Sequence, residues 1–185
     1  MKKTFFLIMC TAVLGLPSCA QKKTTVPAKA EAKIATAVKS ETHTVKTLPA
    51  GVTADILQAI EKEYKGSVAL IDVWATWCPP CRRAMTMVDS IKPDLMKKGV
   101  KFVYITGETS PLETWNEMIP KIHGDHYRLT KEQWKTLMNE QGIPGIPVYK
   151  VINKDGSTAF SNLTEGGYPG NDVIKPILEA AVKKK

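Results

Sequence analysis

Val68-Ala69-Leu70-Ile71-Asp72-Val73-Trp74-Ala75-Thr76-Trp77-Cys78-Pro79-Pro80-Cys81-Arg82-Arg83 is the stretch on which the fold turns. Its first seven residues form a nearly continuous apolar run, the pattern of a strand buried on both faces. Asp72 interrupts that run. Pro79 and Pro80 suit the first turn of a helix, where an amide would find no partner in any case. The two cysteines therefore sit where a buried strand passes into a helix N-terminus. The N–H groups and macrodipole at such an end favour negative charge, so a cysteine there loses its proton more readily. At a pKa of about 8.5 only about 3% of a thiol is thiolate at pH 7, whereas a pKa near 7 gives about half. Because the thiolate is the attacking species in disulfide exchange, that shift is a rate effect. With two residues between them, Cys78 can attack and Cys81 can resolve.

Working outward, Ile56, Leu57, Ile60 and Tyr64 predict a helix over Ala54–Tyr64, which Gly66 ends. Pro79–Lys98 has the length of one helix, with Met85, Val88, Ile91, Leu95 and Met96 on one side. Val100–Thr106 reads as the next strand. Trp115–Ile122 and Lys131–Glu140 are helix candidates, with a short extended stretch at His126–Leu129 between them. Pro147–Ile152 and Ser157–Leu163 are strands joined by the turn residues Asn153-Lys154-Asp155-Gly156. Asp172 is placed to cap a last helix, Val173–Lys183. Trp115 and Trp134 fit amphipathic helices and read as packing residues. The order of elements implies an α/β fold, a mixed central sheet with helices on both faces.

The chain has 185 residues, 43% hydrophobic and 24% charged, which excludes collagen, a disordered charged tail and a polytopic membrane protein. The net charge of +8 is unevenly spread. Residues 51–185 hold 18 basic and 16 acidic side chains, so the excess lies in the first 50 residues. No basic face on the domain supports a nucleic-acid partner. Lys2 and Lys3, the apolar run Phe5–Leu16 and a small-residue exit mark residues 1–18 as a secretory signal peptide, too short to span a bilayer. Leu16-Pro17-Ser18-Cys19 resembles a bacterial lipobox with Cys19 as the lipidated mature N-terminus. Cleavage after Ala20, giving a soluble periplasmic protein, is the alternative. Residues 19–50, rich in Lys, Thr, Ala and Val, read as a flexible tether, His43 idle within it, leading to a domain over 51–185. Of four cysteines, Cys10 falls in the signal and Cys19 is lipidated or removed. Cys78 and Cys81 remain, a redox centre or half of a metal site.

The stretch Asp72–Arg83 resembles the active-site segment of the thioredoxin superfamily, in its TlpA/ResA-like branch of exported reductases. Gly145-Ile146-Pro147 matches that family's cis-proline loop, Asn153–Gly156 its hairpin, and Glu165-Gly166-Gly167 the glycine turn before its last helix. The resemblance covers residues 54–183. It implies a three-layer thioredoxin-like fold and a thiol–disulfide oxidoreductase needing no cofactor and no metal. Cys78 would be the nucleophile and Cys81 the resolving thiol, the two forming the redox disulfide. Pro147 would follow a cis bond facing the sulfurs, and Trp77, Pro79, Pro80 and Ile146 would meet the substrate chain. Asp72 would be the buried acid that accepts a proton during resolution, since burial raises a carboxyl's pKa. Its clients would be disulfide-bearing proteins, its electron donor a membrane thiol–disulfide protein, and the chain a monomer anchored by lipid on the periplasmic side, at the outer membrane. Two departures stand out. Ala84 and Thr86 occupy the places where ResA-like reductases carry a glutamate and a helix-kinking proline. The lysine that partners thioredoxin's buried acid has no match, and Tyr104 falls near its place.

Two other classes remain open. Zinc wants four ligands, and beyond the cysteine pair only three histidines are present, with His123 and His126 the candidates. Haem attachment would need His where Arg82 stands, and a copper-handling protein of this fold would want a wider cysteine spacing. A peroxiredoxin would need Pro and Thr where Ile71 and Ala75 stand. A non-catalytic adaptor would have no use for both cysteines.

Overall fold

The computed structural model describes residues 43–184. The expected signal peptide, Cys19 and the tether as far as residue 42 lie outside the described residues. The sheet begins with β1 (His43–Lys46), then come α1 (Ile56–Lys62), β2 (Ala69–Val73), α2 (Pro79–Asp89), α3 (Lys92–Lys97) and β3 (Lys101–Gly107). Next are α4 (Leu112–Met118), a 3-10 turn at Ile119–Lys121, β4 (Gly124–Leu129), α5 (Lys131–Glu140), β5 (Val148–Ile152), β6 (Thr158–Ser161) and α6 (Asn171–Lys183). The six strands form one sheet in the order β1-β4-β3-β2-β5-β6. The β1–β4, β4–β3 and β3–β2 pairs are parallel, and β2–β5 and β5–β6 are antiparallel. This is the mixed sheet with helices on both faces that the element order implied.

The alternation along β2 divides the core. Leu70 and Trp74 face one layer, with Met85 and Val88 of α2, Leu95 of α3, Trp115 of α4 and Ile174 and Leu178 of α6. Ala69, Ile71 and Val73 face the other, against Ile56, Leu57 and Ile60 of α1 and Leu137 of α5. Each fully buried Ile or Leu stabilises this packing by about 1.5–3 kcal/mol. Asp72 falls on the first face, the side of α2. Among the described residues no helix is long and apolar enough to cross a membrane.

Several boundaries differ from expectation. His43–Lys46 is not tether: it pairs in parallel with Gly124–Tyr127, so the sheet starts ahead of Gly51. Tyr64 helps to hold it, its hydroxyl donating to Asp125 at 2.9 Å while Lys46 pairs with Asp125 at 3.5 Å and Glu63 at 3.4 Å. The expected helix over Pro79–Lys98 is two, broken at Ser90–Ile91. Pro93 cannot donate to the carbonyl of Asp89, and its ring crowds that oxygen, so α2 stops there. Pro120 similarly turns the end of the third expected helix into a 3-10 turn. Asp172 lies within the first turn of α6 and does not cap it; Gly170 occupies the cap position.

Candidate redox site

Cys78 is the N-cap residue of α2, with an extended backbone at φ −94° and ψ 96°. Pro79 and Pro80 have no N–H to offer, so the amide of Cys81 is the first of the helix to reach the site, donating to Cys78 Sγ at 3.2 Å. The positive end of the helix is thereby concentrated on one sulfur, the arrangement that favours a thiolate there. The two cysteines are joined by a disulfide, with Cα atoms 5.3 Å apart. Both sulfur-bearing residues are buried, but Trp77 beside them is 56% exposed and Pro79 and Pro80 are exposed as well. Opposite, the Ile146–Pro147 bond is cis, and the Ile146 carbonyl lies 3.7 Å from Cys78 Sγ. Pro147 is buried and Ile146 half-buried. Cys78, Cys81, Trp77, Ile146 and Pro147 thus meet at one end of the sheet.

Two loops fix this arrangement. Gly166 and Gly167 both take positive φ, near 78° and 79°, a backbone that a side chain would strain. The turn they make brings the Gly167 amide to the Pro147 carbonyl at 2.8 Å. Asn162 locks the same region, its Oδ1 accepting from the Tyr149 amide at 2.7 Å and its Nδ2 donating to the Gly167 carbonyl at 2.6 Å. On the other side Ser110 serves the strand–helix junction. Its Oγ accepts from the Thr76 amide at 3.0 Å and meets Thr106 Oγ1 at 2.8 Å, all of it buried. Neither Asn162 nor Ser110 stands out in the sequence, because the Tyr149 and Thr76 amides they accept from lie 13 and 34 residues away.

Asp72 is 2% exposed, on the strand β2 that runs into the Cys78 turn. Its register partners are Tyr104 on β3 and Tyr149 on β5, so the carboxyl is flanked by two phenols. Asp72 Oδ1 and both hydroxyls are buried without a partner in hydrogen-bond geometry. Burial pushes the Asp72 carboxyl up to about 8, opposed by the nearby Tyr149 hydroxyl and by the charge of Lys92. An acid that titrates near neutrality can both take and release a proton at working pH. Sequence reasoning missed Tyr149 and Lys92, and it identified Tyr104 only as the occupant of a lysine's place.

The other titratable residues singled out by sequence lie apart from the sulfurs. His126 is fully buried on β4, stacked on Tyr104 with ring centres 5.0 Å apart, its Nε2 within 2.8 Å of the Ile122 carbonyl. Its ring also meets His43 edge-on at 6.2 Å. His123 is exposed beyond the 3-10 turn. Among the described residues no group of three or more His, Cys, Asp or Glu side chains is gathered to hold a metal ion. Ala84 is buried on α2 and Thr86 is exposed, its hydroxyl donating to the Arg82 carbonyl at 3.2 Å.

Comparison with known proteins bears directly on this constellation. Residues 66–158 match the family model described as thioredoxin-like. The chain is 27% identical over 158 residues to the thiol-disulfide oxidoreductase ResA of Geobacillus thermodenitrificans, covering 84% of this chain and 86% of that one. It is 25% identical over 95 residues to the ResA of Bacillus thuringiensis, where the match spans 51% of this chain and only 54%, about half, of the relative. Among solved structures, the thioredoxin domain of a thiol-disulfide oxidoreductase from Bacteroides vulgatus superposes with a TM-score of 0.56 at 19% identity, covering 65% of this chain and 83% of that one. A thiol:disulfide interchange protein of the thioredoxin family from Chlorobium tepidum gives 0.53 at 23% identity, covering 66% and 84%. At such identities the two structures speak for the fold alone. With the family model matched across the strand, the cysteine pair, the proline loop and the hairpin, the chain belongs to the thioredoxin-like family.

Proposed function

We propose that this protein is an exported, membrane-tethered thiol–disulfide oxidoreductase that reduces disulfides in client proteins. The observation that carries the reading is the Cys78–Cys81 pair at a helix N-terminus, with the Ile146 carbonyl opposite and a buried acid, Asp72, on the strand that leads into it. The names of the ResA relatives support the same chemistry. Export and tethering rest on the signal-like residues 1–18 and the lipobox-like Leu16–Cys19.

In the reduced pair the Cys78 thiolate, stabilised by the Cys81 amide, attacks one sulfur of a client disulfide. The client's S–S bond breaks, one client sulfur leaves as a thiolate, and a mixed disulfide joins Cys78 to the other. Trp77, Pro79 and Pro80 offer an exposed apolar rim for the client, and Ile146 offers a backbone edge. The Asp72 carboxylate then takes the proton of the Cys81 thiol. The Cys81 thiolate attacks Cys78 Sγ, releases the second client thiolate and closes the Cys78–Cys81 disulfide. The client gains two electrons and the pair loses two, which a membrane thiol–disulfide donor restores. Reduction of insulin disulfides in the presence of dithiothreitol tests this: the wild type should accelerate it and Cys78→Ser should not. A Cys78→Ser variant with wild-type activity would overturn the reading.

A further inference from the structure

Lysine is among the residues least often fully buried, because its ammonium is strongly hydrated. Lys92 is only 3% exposed. The break between α2 and α3 causes this, since it sets Lys92 at the first position of α3 and turns its side chain onto the sheet. There Nζ lies 5.1 Å from the centre of the Tyr104 ring and 5.5 Å from that of Phe102. Its ion pair is with Asp89 at 2.6 Å, and the Asp89 side chain is 53% exposed. An i,i+3 pair with so exposed a carboxylate forms equally well at the surface and contributes little. It gives no reason for the ammonium to go inside. The reason lies on the next strand, where Tyr104, the ring beneath Lys92, is the register partner of Asp72.

We propose that Lys92 is the positioning cation of Asp72, seated on Tyr104 to balance the buried carboxylate whenever it forms, with Asp89 linking that balance to solvent. The inference rests on the oxidoreductase reading for its purpose and on the Lys92–Tyr104–Asp72 geometry for its substance. The groups acting on Asp72 are Tyr104 on β3, Tyr149 on β5, Tyr168 ahead of α6 and Lys92 at the helix break; Asp89 acts on Tyr104, and His126, stacked on Tyr104, is held neutral near pH 7 by burial. Burial holds all three tyrosines above the ordinary phenol range, Tyr168 up to about 12, so they stay neutral near pH 7. Asp72 is then the group of this row that changes charge there, and Lys92 opposes the rise that burial imposes. One proton moves in each cycle, from Cys81 Sγ to Asp72. Asp72 returns it to solvent after the Cys78–Cys81 disulfide has closed.

The test is a carbon-13 titration of the Asp72 carboxyl in the purified, oxidised protein. Lys92→Met keeps the stem that covers Phe102 and Tyr104 and removes only the charge; it should move the Asp72 midpoint upward by about half a pH unit or more. Lys92→Arg should restore the wild-type midpoint. Asp89→Asn frees Lys92 from its competing anion and should move the midpoint down. The pH profile of mixed-disulfide resolution should follow the same displacements. An Asp72 midpoint unmoved in Lys92→Met overturns the proposal. If that variant does not fold, an unmoved or raised midpoint in Asp89→Asn overturns it equally. The titration needs no turnover, so displaced midpoints in a protein that reduces no disulfide would uphold the pairing and overturn the oxidoreductase reading instead.

Discussion

Replacing Asp72 by Asn should flatten the pH dependence of stability. The carboxyl titrates near 3.8 in an unfolded chain and at about 8 in the fold, because burial disfavours the charged form. Between those values the folded state binds the proton more tightly than the unfolded state, so stability falls as pH rises through the window. Each pH unit well inside it costs on the order of 1 kcal/mol, so moving from pH 5 to pH 7 removes roughly 3 kcal/mol from the wild type. Asn does not titrate, and every other group contributes equally to both proteins. The stability gap in favour of Asp72→Asn should therefore widen by roughly 3 kcal/mol over that interval. Urea denaturation of the oxidised proteins at pH 5, 6 and 7 measures it, provided the slopes agree. The same variant should release its mixed disulfide more slowly while the first attack by Cys78 is unaffected. Wild-type and Asp72→Asn profiles that run parallel from pH 5 to pH 7 would refute the reasoning, since a carboxyl whose pKa is unshifted leaves no such gap.

Other perturbations follow from the same geometry. Ser110→Ala removes the acceptor of the buried Thr76 amide and should cost about 1–3 kcal/mol in urea denaturation, with turnover reduced because the strand–helix junction loosens. Burial lowers the His126 imidazole to about 4, so stability should fall as pH drops below 6.5 and level off near 4. His126→Phe should remove about 3 kcal/mol of that loss, and a ring titration by proton NMR showing a midpoint near 6.5 would contradict it. Growth with labelled palmitate should label the protein, and Cys19→Ala should abolish the label; an unlabelled wild type beginning at Gln21 would point to ordinary cleavage.

What the sequence made legible was set by local chemistry. The apolar run at Val68–Trp74, the proline pair at Pro79–Pro80 and the turn at Asn153–Gly156 each carry a preference that acts within a few residues. β2, the start of α2 and the β5–β6 hairpin accordingly lie where the pattern puts them. β1 was not legible because His-Thr-Val-Lys carries little strand signal, and its pairing partner β4 is far along the chain. The helix break was written in Pro93, but the apolar spacing of Met85, Val88, Ile91 and Leu95 runs through it and suggests one continuous face. The depth of Asp72 was legible from its apolar neighbours. The phenols beside it were not, since register between β2, β3 and β5 is decided by tertiary packing. Lys92 was least visible of all, because a lysine in sequence reads as a solvated residue until the break turns it inward.

The central claim is that Cys78 attacks and Cys81 resolves, and trapping measures it most directly. A Cys81→Ser variant, reduced and offered a disulfide-bearing client, should accumulate a mixed disulfide through Cys78 that non-reducing electrophoresis and mass spectrometry identify. Cys78→Ser should accumulate none. A mixed disulfide forming on Cys81 in Cys78→Ser, with none on Cys78 in Cys81→Ser, would reverse the roles and contradict the account.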